Sequence, residues 1–458
     1  MNKELRGKER KSFMPRPRSF LGPRSRERRL QHSKMTDEAW KERIVADSTL
    51  PVEAPEGYVF NAKIQEELAS IPPEGVAVVR KDNAPPPPIK EYGAIAVPEH
   101  IYSNGIRWNV GNMIGGGAQG KVFEISHDGT EKKKRIVKLM TANTEYERKN
   151  LWNEVGVSMA TGDFVGSEVI NDEKDGIWAA IVMERHDGKD GKKLTKENDK
   201  EHPPAHKVKD VYKFAVALRS MVSQLRLLHS AGWIHQDVKP ANTIFNLEDG
   251  EESLSRIVDL GIAERSGNVR DHRKGSAVGT PVYMIPESWW ESDADVRVRD
   301  YWATMVTIAE VSGFIGRKKI RTSGVRGIRE IMNLLANGDF FIAPKLSNTE
   351  SAKAYFDANN IEGAHKEFLM WIYNFLQPHM PAVGRLKLWK DMGVTQTLTK
   401  QVKTKGGVMK DITGDFLNDG KFVKELERHV RGLAKQAGLE VPEETLALLQ
   451  EFPKTEVK

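Results

Sequence analysis

Two aspartates, a lysine and an asparagine stand near the middle of the chain at spacings that could do chemistry. Asp237 lies five residues before Asn242 in HQDVKPAN, with Lys239 between them, and Asp259 closes the apolar run RIVD further on. A carboxylate beside an acceptor hydroxyl orients it or takes its proton. A lysine offsets charge on a moving phosphoryl group, and carboxylate and amide oxygens are hard ligands for Mg2+. Aspartate and asparagine also cap helices and fill turns, but that role explains neither Lys239 nor the DLG that begins at Asp259.

Such groups act only if the chain brings them to one place. Upstream, GGGAQGKV at residues 115 to 122 follows the apolar stretch Ile106 to Ile114. Its glycines either close a hairpin or let backbone N–H groups approach a phosphate. RWNVGNMI and GKVFEIS read as two strands around that turn, and RIVKLM as a third. Residues Glu145 to Ala160 carry Leu151, Val155 and Met159 on one helical stripe, and GIWAAIVMER is a continuous apolar run, hence a buried strand. From Val208 the pattern lengthens into helices, first Val211 to His229 and later Val298 to Val311. Tyr301 to Ile315 is too short for a bilayer span and contains Glu310, so it reads as a buried helix. A small β-rich part followed by a larger helical part predicts an α+β fold in two lobes.

In this order the motifs resemble those of the eukaryotic-type protein kinase family, from about Trp108 to Lys390. Gly115, Gly117, Gly120 and Val122 fit G-x-G-x-x-G-x-V, and Lys138 in IVKL fits the third-strand lysine. HQDVKPAN fits H-R-D-x-x-x-x-N, DLG fits D-F-G, and GTPVYMIPE fits the end of the activation segment. The resemblance implies a bilobal kinase-like fold and transfer of the γ-phosphate of Mg·ATP to Ser or Thr hydroxyls of proteins. It implies that the glycines and Val122 cover ATP, and that Lys138 pairs the α and β phosphates and is held by Glu154, with Glu147 as the alternative. By the same resemblance Glu184 to His186 form the hinge that meets adenine, with Val182 or Met183 gating the pocket behind it. Asp237 serves the acceptor hydroxyl, Lys239 steadies the γ phosphate, and Asn242 and Asp259 bind Mg2+. Thr280 contacts Asp237 and Lys239, Asp300 anchors the catalytic loop, Glu287 pairs with Arg385, and His235 is structural.

The match departs at Gln236, where many relatives carry an arginine that receives an activation-loop phosphate. Activity is therefore expected without strict need for that phosphate, constitutive or set by a partner, although Ser266, Ser276 and Thr280 are available for modification. Leu260 in place of phenylalanine keeps an apolar plug. Two other readings stay open: a pseudokinase scaffold that binds nucleotide and partner proteins, and a kinase-like enzyme acting on a small molecule. The filled catalytic positions argue against the first, and GTPVYMIPE, a platform for a peptide in the family, against the second.

The chain's 458 residues exceed what one core usually organises, yet only 39% are apolar and the mean hydropathy is −0.52, so part of it is expected to stay unpacked. Absence of cysteine excludes disulfides, thiolate metal sites and cysteine nucleophiles. Much of the basic excess behind the net charge of +6 lies near the N-terminus, among Lys3, Arg6, Arg16, Arg18, Arg24 and Arg29. No nucleic-acid motif accompanies it. With no apolar stretch after its basic residues, this segment does not read as a secretory signal. A transit peptide, an export signal, an anchor on acidic lipid or RNA, and a plain solvated tail stay open. NAPPPPIK is a stiff spacer.

The expected organisation is a mostly disordered basic and Pro-rich region over residues 1–97, a small lobe over 98–186, a large lobe over 187–395 and a helical C-terminal extension over 396–458. In that extension DFLNDGKFVKELERHVRGLAKQAGL is expected to form a helical hairpin and PEETLALLQEF a further short helix. The expected partners are protein substrates and a regulator at the N-terminal tail or the C-terminal helices, with neither a membrane span nor a specific nucleic acid. The expected compartment is the cytoplasm, that of a host cell if the protein is a translocated effector.

Overall fold

Alternating apolar residues in the N-terminal strands bury one sheet face and leave the other to meet the rest of the chain. The computed structural model describes residues 89–92, 95–103, 106–117, 120–127, 135–141, 144–161, 163–172, 176–198, 207–230, 232–247, 255–265, 278–285, 296–314, 316–317, 341–342, 349–376, 382–392, 394–403 and 409–440. Strands β1 (Ile89–Tyr92) and β2 (Ile95–Pro98) pair with each other. Next come β3 (His100–Ser103), β4 (Ile106–Gly117), β5 (Gly120–Ser126), β6 (Arg135–Thr141), β7 (Phe164–Asp172) and β8 (Gly176–Glu184). They form an antiparallel six-stranded sheet in the order β3-β4-β5-β6-β8-β7. Val97 already belongs to the small-lobe core, so strand structure begins ahead of the boundary expected at residue 98.

The register sorts the sheet's two faces. Phe123 pairs with Val137, which pairs with Val182, and all three are buried in the small-lobe core. One residue along, Val122 pairs with Lys138 and Lys138 with Ile181, so these lie on the opposite face, as do Ile136 and its partner Met183. Helix α1 (Glu145–Thr161) starts with a capping box. The Thr144 hydroxyl accepts from the Glu147 N–H at 3.2 Å while Glu147 accepts from the Thr144 N–H at 2.9 Å.

The large lobe begins with β9 (Lys189–Asp190), α2 (Gly191–Asn198) and α3 (Val208–Ser230). Along α3 the buried Val211, Phe214, Leu218, Met221, Leu225 and Leu228 recur every three or four residues. Four short strands follow: β10 (Trp233–Ile234), β11 (Thr243–Phe245), β12 (Arg256–Ile257) and β13 (Glu264–Arg265). β11 lies between β9 and β12, and β10 pairs with β13. Helix α4 (Arg297–Val311) has 12 of its 15 residues buried, as its apolar sequence predicts for a central helix. β14 (Gly316–Arg317) pairs with β15 (Phe341–Ile342), and α5 (Thr349–Ala358), α6 (Gly363–Leu376) and α7 (Ala382–Asp391) complete the lobe.

The C-terminal segment departs from expectation. Residues 395–417 form an antiparallel ribbon, β16 (Thr395–Lys403) and β17 (Met409–Leu417), and the expected helical hairpin is the end of that ribbon followed by the single helix α8 (Asp419–Ala437). Asn418 caps α8 by accepting from the Lys421 N–H, and Gly438, at φ 69°, ends it. Leu417, Phe422, Leu426, Val430 and Leu433 join the large-lobe core, with the Phe422 ring edge-on to Tyr301 at 5.1 Å. PEETLALLQEF, the basic N-terminal segment and residues 83–88 of the spacer lie outside the described residues, while its last two, Ile89 and Lys90, open β1. Among the described residues no helix is long and apolar enough to cross a membrane.

Candidate active site

The glycine-rich turn joins β4 to β5, with Gly117 opposite Gly120 and Gly115 opposite Val122. The two ends of the turn need glycine for different reasons. A Cβ on Gly120 would stand 2.5 Å from the Leu139 carbonyl oxygen, so the protein's own packing demands glycine there. A Cβ on Gly115 would stand 4.0 Å from the Val122 Cβ, an ordinary contact. Among the described residues nothing requires glycine at 115, which suits a backbone kept bare for an approaching ligand.

Lys138, Val122 and Met183 share the face of the sheet behind this turn. Met183 also receives the Ser158 hydroxyl at 3.6 Å, whereas Val182 lies in the small-lobe core, so of the two Met183 is the one on the Lys138 face. The Lys138 Nζ lies 2.9 Å from Glu154 Oε2 and 2.9 Å from Asp259 Oδ1. Burial acts to lower the pKa of this ammonium, but the two carboxylates outweigh it and the net shift is upward. Glu147 instead joins the capping box and accepts from Thr141 at 2.7 Å, so Glu154 is the partner of Lys138.

At the junction of the lobes, the Glu184 N–H donates to the Asp163 carbonyl at 2.9 Å. A ring nitrogen of His186 lies 3.1 Å from the Asp163 carboxylate, which also accepts from Thr161 at 2.8 Å. Burial acts to raise the Asp163 pKa, but His186, Arg256 and the Thr161 hydroxyl together outweigh it and the net shift is downward.

The catalytic-loop residues follow β10. Asp300, on the first turn of α4, is 1% exposed and accepts from the backbone N–H of His235 at 2.8 Å and of Gln236 at 2.9 Å, and it meets His229 Nε2 at 2.8 Å. Burial acts to raise its pKa, and the His229 hydrogen bond and the nearby histidines reverse this to a net lowering. The loop so suspended has Gln236 in the left-handed region at φ 70°. Asp237 Oδ1 accepts from the Thr280 N–H at 2.8 Å and hydroxyl at 2.6 Å, and Oδ2 from Lys239 at 2.5 Å and Asn242 Nδ2 at 3.1 Å. Lys239 also reaches the Thr280 hydroxyl at 2.9 Å. His235 is 1% exposed and its Nδ1 accepts from the Asp237 N–H, a structural placement.

Gly279 was not singled out by sequence reasoning. It has φ +111°, and a Cβ there would stand 2.3 Å from the Gln236 carbonyl oxygen, so GTP packs directly on HQD. The Gln236 side chain donates to the Ile262 carbonyl at 2.9 Å, tying the catalytic loop to the segment after DLG. Nothing in the sequence signalled that bond, nor the role of Asp163. Glu287, Ser266 and Ser276 lie outside the described residues, as does the side chain of Arg385.

Two residues offer oxygens to a hard cation. Asn242 uses its amide N–H on Asp237, leaving its carbonyl oxygen as a donor. The Asp259 side chain is 45% exposed, and although burial acts to raise its pKa, Lys138 brings it below the ordinary value and keeps it ionised. Among the described residues no cluster of three or more His, Cys, Asp or Glu forms a metal cage. Two oxygen donors suit Mg2+, which binds through one or two protein ligands and completes its shell with phosphates and water.

A family model described as "protein kinase domain" matches residues 108–372, more than half of the chain. The curated proteins similar to this one include serine/threonine-protein kinase CST20 of Candida albicans, 27% identical over 204 residues that cover 43% of this chain and 15% of that protein. Serine/threonine-protein kinase PknE of Mycobacterium tuberculosis is 37% identical over 100 residues, 22% of this chain and 17% of its own. AfsK of Streptomyces griseus, another serine/threonine-protein kinase, is 37% identical over 84 residues, 18% of this chain and 10% of its own. The chain thus spans between 10% and 17% of the length of these relatives.

Proposed function

The chain belongs to the protein kinase family, and from that premise we propose that it transfers the γ-phosphate of Mg·ATP to serine and threonine hydroxyls of protein substrates. The observation that carries the reading is Lys138, held 2.9 Å from both Glu154 and Asp259, so that three parts of the chain meet at one ammonium. Bound Mg·ATP supplies the phosphoryl group and the cation that offsets its charge.

The protein's own residues then do four things. Lys138, fixed by Glu154, positions the α and β phosphates beneath the turn from Gly115 to Val122, while Glu184 and its neighbours meet adenine through their backbone. Asn242 and Asp259 offer oxygens to Mg2+. Asp237, its carboxylate aimed by Thr280, Lys239 and Asn242, orients the acceptor hydroxyl and receives its proton. Lys239 offsets charge on the γ phosphate.

Activation-loop phosphorylation is not strictly required in this reading. Residue 236 is an uncharged glutamine, and its bond to the Ile262 carbonyl gives the catalytic loop a tether that needs no phosphate. The proposed compartment is the cytoplasm. The test is to incubate phosphatase-treated full-length protein with Mg·ATP and a mixture of Ser-, Thr- and Tyr-containing acceptor peptides. Phosphoserine and phosphothreonine are expected, and labelling confined to small molecules or tyrosine would defeat the proposal.

A further inference from the structure

Helix α1 carries Glu154, and two residues further on its surface bears a glycine where it meets the large lobe. A Cβ built on Gly156 would stand 2.9 Å from Cζ2 and 3.4 Å from Cη2 of Trp233. Trp233 is 6% exposed and shares the large-lobe core with Val157, the next residue of α1. It also opens β10, the strand that runs straight into His235 and Asp237. One contact therefore joins the helix that supplies half of the Lys138 ion pair to the strand that delivers the catalytic loop.

We propose that the indole of Trp233, seated in the hollow left by Gly156, sets the depth of α1 against the large lobe and so keeps Glu154 within reach of Lys138. Gly156 and Trp233 are positioning residues for phosphoryl transfer, and this role rests on the kinase reading. The bulk at Trp233 and the lack of it at 156 are matched, because an ordinary carbon–carbon contact needs about 3.5–4.0 Å. The indole is buried in the large-lobe core, where packing is dense, so a methyl at 156 is expected to displace the helix by roughly 0.6–1 Å. Glu154, half a turn away on the same helix, is then shifted out of the geometry of its 2.9 Å contact with Lys138. Displacement of about 1 Å at a positioning group costs on the order of a hundredfold in rate.

The other fastenings of α1 agree with a helix held by the chain's own contacts. Glu147 ties its first turn to Thr141 of β6, and Thr161 at its end bonds Asp163, which holds the backbone of Glu184. Neither fastening sets the distance from α1 to the catalytic-loop strand, and Trp233 does.

The experiment uses the full chain as wild type, Gly156→Ala, Trp233→Phe and the double variant. Alanine is the better helix former, so loss of order in Gly156→Ala cannot come from helix propensity. Phenylalanine is shorter than the indole and vacates the space the new methyl needs. Two readouts are taken: hydrogen–deuterium exchange of the α1 amides in nucleotide-free protein, and kcat and KM for phosphate transfer. Gly156→Ala is expected to speed exchange across α1 and to lower kcat tenfold to a hundredfold, with the KM for acceptor peptide within about twofold. The double variant is expected to restore both readouts towards wild type. Wild-type exchange and kcat in Gly156→Ala would overturn the inference, and so would a double variant no better than Gly156→Ala. If the wild type transfers no phosphate, the functional reading fails on that result alone, while the exchange readout still decides whether Trp233 holds α1.

Discussion

Replacing Asp300 by alanine removes a buried side chain from which the backbone of the catalytic loop hangs. The carboxylate is 1% exposed and accepts from two backbone N–H groups, of His235 and Gln236, and from His229. Each buried donor left unpaired costs about 1–3 kcal/mol. The two backbone donors together with His229 set the expected loss at about 3–9 kcal/mol, a large share of the roughly 5–15 kcal/mol that keeps a protein folded. A melt followed by circular dichroism should show the midpoint lowered by roughly 5–15 °C.

Acid provides an internal check, because the folded pKa of Asp300 lies below its ordinary value. Its contribution is fully present above the unfolded pKa near about 4 and is lost as the pH falls through the lower folded pKa. The stability gap between wild type and Asp300→Ala should therefore narrow only in acid below that point. Transfer should fall on the order of a hundredfold, since Asp237 would no longer be held to within about 1 Å. A variant with wild-type midpoint and wild-type transfer would refute the claim that α4 suspends the loop.

Three further outcomes follow from particular contacts. Gly115→Ala should fold like wild type but raise the KM for ATP several-fold, whereas Gly120→Ala, whose methyl would meet the Leu139 carbonyl, should lower the melting midpoint; steady-state kinetics and a thermal melt separate the two. Leu426→Ala should cost about 2–5 kcal/mol in chemical denaturation, because Leu426 is fully buried in the large-lobe core and α8 belongs to that lobe. Glu154→Gln should abolish most transfer, while Glu147→Gln should lower stability by about 1 kcal/mol or less with kcat retained, since Glu147 serves a helix cap.

Much of the site was legible because its residues sit in short segments whose order is visible in the chain. Asp237, Lys239 and Asn242 fall within one turn of backbone, and their mutual bonds are local. The preference for Glu154 over Glu147 as the partner of Lys138 came from the family resemblance and left Glu147 as the alternative, although the T-x-x-E of Thr144 and Glu147 is itself a readable capping box. What could not be read depends on packing between distant segments. The choice between Val182 and Met183 turns on strand register, which places neighbouring residues on opposite faces. Trp233 and Gly156 look like an apolar residue and a weak helix position until the fold brings them together.

The β16–β17 ribbon is masked in the sequence by Phe416 and Leu417, which continue the apolar spacing of α8 although that helix starts after Asn418. The alternation of Thr395, Thr397 and Thr399 is a strand signal in the sequence.

The central claim, that this assembled site turns over, is tested most directly by single-turnover transfer from radiolabelled Mg·ATP to a basic protein acceptor. Wild type should be run beside Asp237→Ala and Lys138→Met, with nucleotide binding followed in parallel by thermal shift. The account predicts phosphoserine and phosphothreonine from wild type, transfer reduced at least a hundredfold in both variants, and retained nucleotide binding in Asp237→Ala. Nucleotide binding without transfer in the wild type, or equal transfer by wild type and Asp237→Ala, would contradict it.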